Sequence, residues 1–158
     1  MADPFTDAID ALWTRLEANS EFTALVKPNC RIKMSDDTDP QGKQMQDNDA
    51  PQVAIGPATC DTDLHVTSSS ASITLNYDVA ISTYDMRLKR GIFPVFWQVL
   101  KTVSDFPDTT ITSGKIIDVR VIAVSFGDQD EKTGTTGWAA ILTLAVEMTF
   151  DRTELEPA

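Results

Sequence analysis

Between residues 71 and 83 the chain alternates with a period of two: Ala71, Ile73, Leu75, Tyr77, Val79, Ile81 and Thr83 are separated by smaller or polar residues. The pattern predicts a strand with one buried and one wet face. One wet face favours antiparallel pairing, because parallel strands are buried on both sides. Fully extended, the run would span about 40 Å. That exceeds what a small domain needs, so the strand is expected to project or to be shared with a neighbour. Residues 92–103 then bring Phe93, Phe96, Trp97 and Leu100 at helical spacing, read as the stripe where a helix meets the sheet. Residues 119–126 and 138–150 return to strand composition. Nothing in this unit suggests chemistry on a substrate. It reads as a scaffold whose surface is its product, which points to assembly.

The flanking segments complete an α+β plan. Asp3 before Pro4 is a helix start, with Asp as cap and proline at the first helical position. Phe5, Ile9, Leu12, Trp13 and Leu16 form its apolar stripe. Ser20 is the expected cap of a second short turn carrying Phe22, Leu25 and Val26, ended by Pro28. Residues 30–34 and 52–56 are strand candidates, expected to pair as a long-looped hairpin. Between them, residues 35–51 form a polar acidic loop of a length often functional in a compact domain. Residues 105–114 are expected as loop. Residues 115–126 and 137–150 should form an antiparallel pair, with residues 127–136 as a projecting hairpin tip. The whole reads as one domain over residues 1–150, followed by a polar tail over 151–158. Its mainly antiparallel sheet packs against two principal helices and carries protruding hairpin loops.

The chain has 158 residues, with 24 Asp and Glu against 13 Lys and Arg, for a net charge of -11. Such a balance argues against a broad phosphate-neutralising site. It suits either plain solubility or a surface past which a polyanion must slide. The N-terminus shows no basic region followed by an apolar run, and no stretch approaches the roughly 20 apolar residues of a membrane span. Neither a signal peptide nor a membrane partner is expected. Cys30 and Cys60 are expected to stay reduced, as in a cytosolic protein.

A histidine-dependent catalytic pattern would have to use the one histidine, His65. Asp61, Asp63 and His65 alternate and would share one side of an extended chain, yet no second cluster completes a metal site. Ser68, Ser69 and Ser70 lie too close to His65 to meet it as nucleophiles, and no nucleophile elbow occurs. Gly127, Gly134 and Gly137 frame a loop without a phosphate-binding ending. No catalytic residue, metal or cofactor is expected, and the chain is read as a non-enzyme.

With these residues in hand, the chain resembles the tail terminator family of long-tailed bacteriophages. The likeness rests on an amphipathic first helix and short strand, then Ala50-Pro51-Gln52-Val53-Ala54-Ile55-Gly56. A long strand ending Asp78-Val79-Ala80-Ile81-Ser82-Thr83-Tyr84-Asp85 follows, then the helix over residues 90–103 and the closing strand over 137–150. The resemblance implies a subunit of a hexameric ring that caps the tail tube, ends its polymerisation and joins it to the head connector. DNA would pass through the channel without sequence-specific binding. The implied partners are further copies of the chain, the tail tube protein and the head-tail connector protein. The implied location is the virion tail, assembled in the host cytoplasm.

Ring closure needs a heterologous interface, one face of a subunit meeting a different face of the next. Candidate subunit or partner contacts are the basic cluster Arg87, Lys89 and Arg90, the aromatics Trp97 and Trp138, and the acidic Asp36, Asp37, Asp39, Asp47 and Asp49. Asp128, Asp130 and Glu131 at the hairpin tip join them. The long strand over 71–83 is a further plausible carrier. Alternatives are another phage ring component (connector stopper, tube, neck or baseplate protein) and a small acidic module that binds a basic protein.

Overall fold

The computed structural model describes residues 3–33, 51–58, 72–130 and 136–150. Its centre is one six-stranded sheet in the order β1-β2-β3-β6-β5-β4. The strands are β1 (Arg31–Lys33), β2 (Gln52–Pro57), β3 (Ser72–Thr83), β4 (Thr109–Ile111), β5 (Gly114–Asp130) and β6 (Thr136–Phe150). Among the described residues, three α-helices accompany them, α1 (Pro4–Glu17), α2 (Ser20–Leu25) and α3 (Ile92–Ser104), with a short 3-10 helix over Pro28–Cys30. The α+β class read from the sequence is the class observed.

Alternation decides which face of the sheet is buried. Tyr77, Val79 and Ile81 of β3 stand opposite Leu144, Leu142 and Ala140 of β6, and all six are buried. On the other face, Asn76, Asp78 and Ala80 of β3 are half-buried, and the Thr143 hydroxyl donates to Asp78 Oδ1 at 2.7 Å. The helices close the first face. Helix α1 starts as its sequence predicts, with Asp3 accepting from the N–H groups of Phe5 (3.0 Å) and Thr6 (2.8 Å). These bonds to the charged form, Thr6's N–H foremost, lower the Asp3 carboxyl below its ordinary range. Ala8, Ile9, Leu12, Trp13 and Leu16 are buried, and the Tyr77 hydroxyl donates to the Phe5 carbonyl at 3.0 Å.

Several expectations are corrected. Asn19, not Ser20, caps α2, accepting from Glu21 and Phe22 N–H at 3.0 and 3.3 Å. Its amide also donates to Gln98 Oε1 and Thr102 Oγ1 of α3, a double role that one hydroxyl cannot fill. Strands β1 and β2 pair in parallel, so they are not a hairpin. Parallel pairing demands a crossover connection of about a dozen residues or more, which accounts for the length of the acidic connection. Residues 105–114 contain β4, which pairs with β5 across a turn where Ser113 takes a φ of 65°. At Gly114 a Cβ would collide with the Thr149 carbonyl oxygen, so that close approach requires glycine.

Strand β3 is interior over Tyr77–Ser82, whereas its first residues, Ser72–Leu75, pair only with β6 among the described residues. It pairs with β6 from Ser72↔Thr149 to Thr83↔Trp138, and β2 flanks it on the other side from Tyr77 to Ser82. The length of the apolar alternation is satisfied by an equally long partner within the chain. Finally, β5 and β6 continue pairing through Asp130↔Thr136. The expected tip over 127–136 is therefore ladder at both ends, and only residues 131–135 lie outside the described strands.

Candidate functional site

Helix α3 is apolar over more of its circumference than one buried face can use. Ile92, Phe93, Val95, Phe96, Trp97, Val99, Leu100 and Val103 are all large and apolar. The sheet takes the stripe of Ile92, Val95, Val99 and Val103, which are buried. This corrects the expectation for Phe93 as a sheet-facing residue, whereas Phe96 packs against the core as expected and Trp97, also a candidate contact, lies outward. Phe93 remains 46% exposed and Trp97 55%, while Phe96 and Leu100 are half-buried. β-branched side chains fit flush against the sheet, and the bulkier aromatics are left around the flank.

That flank continues onto β5. Phe126, 48% exposed, stands opposite Ala140 on the helix-bearing face. Its ring meets Phe93 edge-on, with centroids 5.9 Å apart, and Phe96 at 5.0 Å. Val124, on the same face opposite Leu142, is also exposed, as is Ile122. Trp97 lies one turn along α3 from Phe93, and the Lys101 ammonium sits 5.9 Å from its ring centroid. Exposed large apolar residues are informative when contiguous rather than scattered. Here three aromatic rings from two elements touch in series.

The backbone beside them is open too. Strand β4 covers β5 only from Gly114 to Ile116, so residues 117–130 have no outer partner strand among the described residues. Two register shifts, between Ile116 and Asp118 and between Val121 and Ala123, interrupt this edge. Bulges of that kind discourage indiscriminate strand pairing.

The sequence-predicted residues fall into three groups. Arg87, Lys89 and Arg90 are exposed in the junction between β3 and α3. Arg87 is engaged within the junction, its Nε and Nη2 each 2.9 Å from the Asp85 carboxylate. Those guanidinium bonds hold the Asp85 carboxyl down at about 2. The sign is that of a depressed acid: the interaction is complete above the ordinary carboxylate range and is lost as pH falls through about 2. Gly91 closes the junction where a Cβ would come 2.6 Å from the Asp85 carbonyl oxygen.

Trp138 and Trp97 form the second group. Trp138 is half-buried, and its Nε1–H donates to the Met86 carbonyl at 3.4 Å, joining the ribbon to the same junction. Met86 and Leu88 are exposed beside the basic residues. Asp128 and Asp130 are ladder positions of β5 opposite Trp138 and Thr136. The third group, Asp36, Asp37, Asp39, Asp47, Asp49 and Glu131, lies outside the described residues. The structure thus joins Trp138 to the basic junction at the start of α3, whereas Trp97 lies midway along that helix. Phe93, Phe126, Val124 and Ile122 were missed as surface residues. The excess of apolar positions on α3 was the available signal.

The described residues contain no group of three His, Cys, Asp or Glu placed to hold a metal ion, and no helix long and apolar enough to cross a membrane. His65 and Cys60, weighed as ligands or catalysts, lie outside them, whereas Cys30 is a buried free thiol. An open groove of about 500 Å³ runs between α1 and the α3–β4 connection, lined by residues such as Asp7, Asp10, Phe106 and Ile111. The Asp7 carboxylate there accepts from Thr112 N–H at 2.9 Å and from its hydroxyl. It therefore holds the β4–β5 turn in place.

Neither known protein families nor curated proteins yield a match to the chain. Among solved structures, its fold is similar to that of a chain in the virion of a native gene transfer agent particle. The TM-score is 0.59 at 13% identity, over 89% of this chain and 93% of that one. At this identity the likeness is one of fold.

Proposed function

We propose that the chain is a ring-forming structural virion protein of the tail. In this reading a hexamer caps the tail tube, denies it further subunits, joins it to the head-tail connector protein and leaves a channel for DNA. The carrying observation is the uncovered aromatic flank of α3 beside the open edge of β5. A chain that acted alone would have no use for it. The fold likeness to a virion chain and the resemblance to tail terminators favour the same role.

Magnitudes separate an anchor from a whole interface. Phe93, Trp97 and Phe126 together expose on the order of 300 Å², worth about 8 kcal/mol of gross burial. Association itself costs about 4–15 kcal/mol, and a stable interface buries about 800 Å² per partner. The aromatics are therefore the centre of a larger contact that must also use β5 or the β3–α3 junction. Multiple contacts per subunit are what a closed ring supplies.

The test is electron microscopy of purified protein, alone and mixed with tail tubes. Rings seated end-on, with tube growth halted, are expected. Decoration along tube walls or continued growth would assign another ring role, such as connector stopper or tube protein. A molecule that stays single and ignores tubes would favour the acidic binding module.

A further inference from the structure

We infer that the basic junction between β3 and α3, residues 86–90, docks into the groove between α1 and the α3–β4 connection of a second copy of this chain. The inference rests on the ring reading and names a contact that would close it. Position, chemistry and preorganisation lead to it.

The two surfaces lie at opposite ends of the sheet. Thr110, which lines the groove, stands opposite Lys115, Lys115 opposite Thr149, and Thr149 opposite Ser72, where β3 begins. The junction follows Thr83, where β3 ends. A strand of that length sets the two about 36 Å apart, and α3 runs between them. One chain therefore cannot fill its groove with its own junction. The match requires another copy, through a heterologous contact of the type that closes a ring.

The chemistry is complementary. The groove, about 500 Å³, is open among the described residues and has an apolar floor of Ala11, Phe106, Pro107 and Ile111. Asp7 and Asp10 line it as well, and exposed Asp108 stands between its lining residues Pro107 and Thr109. Exposed Asp105 lies just past α3; the cations nearby are Arg15, 4.0 Å from Asp105, and Lys101. Carboxylates thus outnumber cations there. The junction has the opposite balance, with exposed Arg87, Lys89 and Arg90 against Asp85. Among these cations Met86 and Leu88 are 46% and 42% exposed. Apolar side chains set among basic ones meet an apolar floor between acidic walls. A space of roughly 300–1,000 Å³ is ligand-sized, which suits two such side chains rather than a helix.

The junction is also held in shape before any contact. The Asp85 carboxylate accepts from Arg87 N–H at 3.0 Å, and the Arg87 carbonyl accepts from Arg90 and Gly91 N–H at 3.1 and 2.9 Å. The Trp138 indole fixes the Met86 carbonyl. A loop already ordered loses little freedom on binding.

The experiment is photo-crosslinking with mixed isotopes. Heavy-labelled chains carrying p-benzoylphenylalanine in place of Leu88 are mixed with light wild-type chains, allowed to assemble, irradiated and digested. Heavy-to-light crosslinks into residues 7–18 or 105–111 are expected. Crosslinks into another part of the light chain would overturn the inference while leaving the ring reading standing, as would crosslinks only within the heavy chain of an assembled ring. Absence of any oligomer, in wild type as well, would remove both. A charge exchange keeps the inference testable if the bulky probe disturbs the contact. Lys89→Glu with Arg90→Glu should weaken self-association about tenfold at low salt, as should Asp10→Lys with Asp108→Lys. The loss should shrink in high salt. All four substitutions together should restore association to near the wild-type level. A fourfold variant that stays folded and associates no better than either pair alone would contradict the inference.

Discussion

The two edges of the sheet are treated in opposite ways. At one side, β1 is only Arg31–Lys33, and both of its cations reach the Glu17 carboxylate, Arg31 at 2.9 Å. The guanidinium also donates twice to the Val26 carbonyl, and Lys33 lies over the ring of buried Trp13. That edge is short, charged and covered by the chain's own helices. At the other side, β5 has no outer partner from residue 117 to 130 among the described residues, with Ile122, Val124 and Phe126 exposed. The tryptophans repeat the contrast: Trp13 of α1 is 2% exposed and Trp97 of α3 is 55% exposed. In the proposed reading, the closed edge belongs to the monomer and the apolar one is where another copy of the chain packs.

Substitutions at the two sides should separate accordingly. Trp13→Ala removes a fully packed indole and should cost about 3–5 kcal/mol of monomer stability, read by urea unfolding. A loss below 1 kcal/mol would mean that the closed side is not packed as described.

Glu17→Gln should cost about 1.5–3 kcal/mol at neutral pH, because it weakens charged bonds to a nearly buried arginine. Burial alone would raise the Glu17 carboxyl, but the bonds from Lys33 and Arg31 bring it below its ordinary value of 4.5. For a depressed acid, this stabilisation is complete above the ordinary value and fades as pH falls through the folded one. The gap between wild type and variant should therefore close in acid. A gap independent of pH would remove the ion pairs from the comparison.

Phe126→Lys on the open side should cost only about 1 kcal/mol, the worth of its ring contacts, while abolishing assembly. Trp97→Ala should change monomer stability least, by about 0.5 kcal/mol or less, and still weaken self-association. If thermal melts showed Trp97→Ala as damaging as Trp13→Ala, the two sides would not differ in kind.

Much of the fold was legible because its signals are local. The Asp3-Pro4 start, the period of two in β3 and the apolar run of β6 each dictate an element by themselves. What failed depends on partners distant in sequence. Parallel pairing of β1 with β2 looks like a hairpin until the register is known, and β4 is too short to show any period. Ser20 and Asn19 are both good caps, and only the bonds from Asn19 to α3 choose between them. For the candidate site, the basic junction and Trp97 could be read from the sequence as exposed chemistry. Phe93 and Phe126 could not, since an aromatic on an amphipathic helix or strand is ordinarily core. Phe93 is left outward because Val95, Val99 and Val103 take the sheet, and Phe126 because β5 runs on past β4.

Hydroxyl-radical footprinting of the single chain and of its largest assembly compares both sides in one experiment. Oxidation of Phe93, Trp97 and Phe126 should fall severalfold on assembly, while Trp13 stays protected in both states. Equal oxidation of the three aromatics in the assembled and single states would show that the open side is not where copies meet.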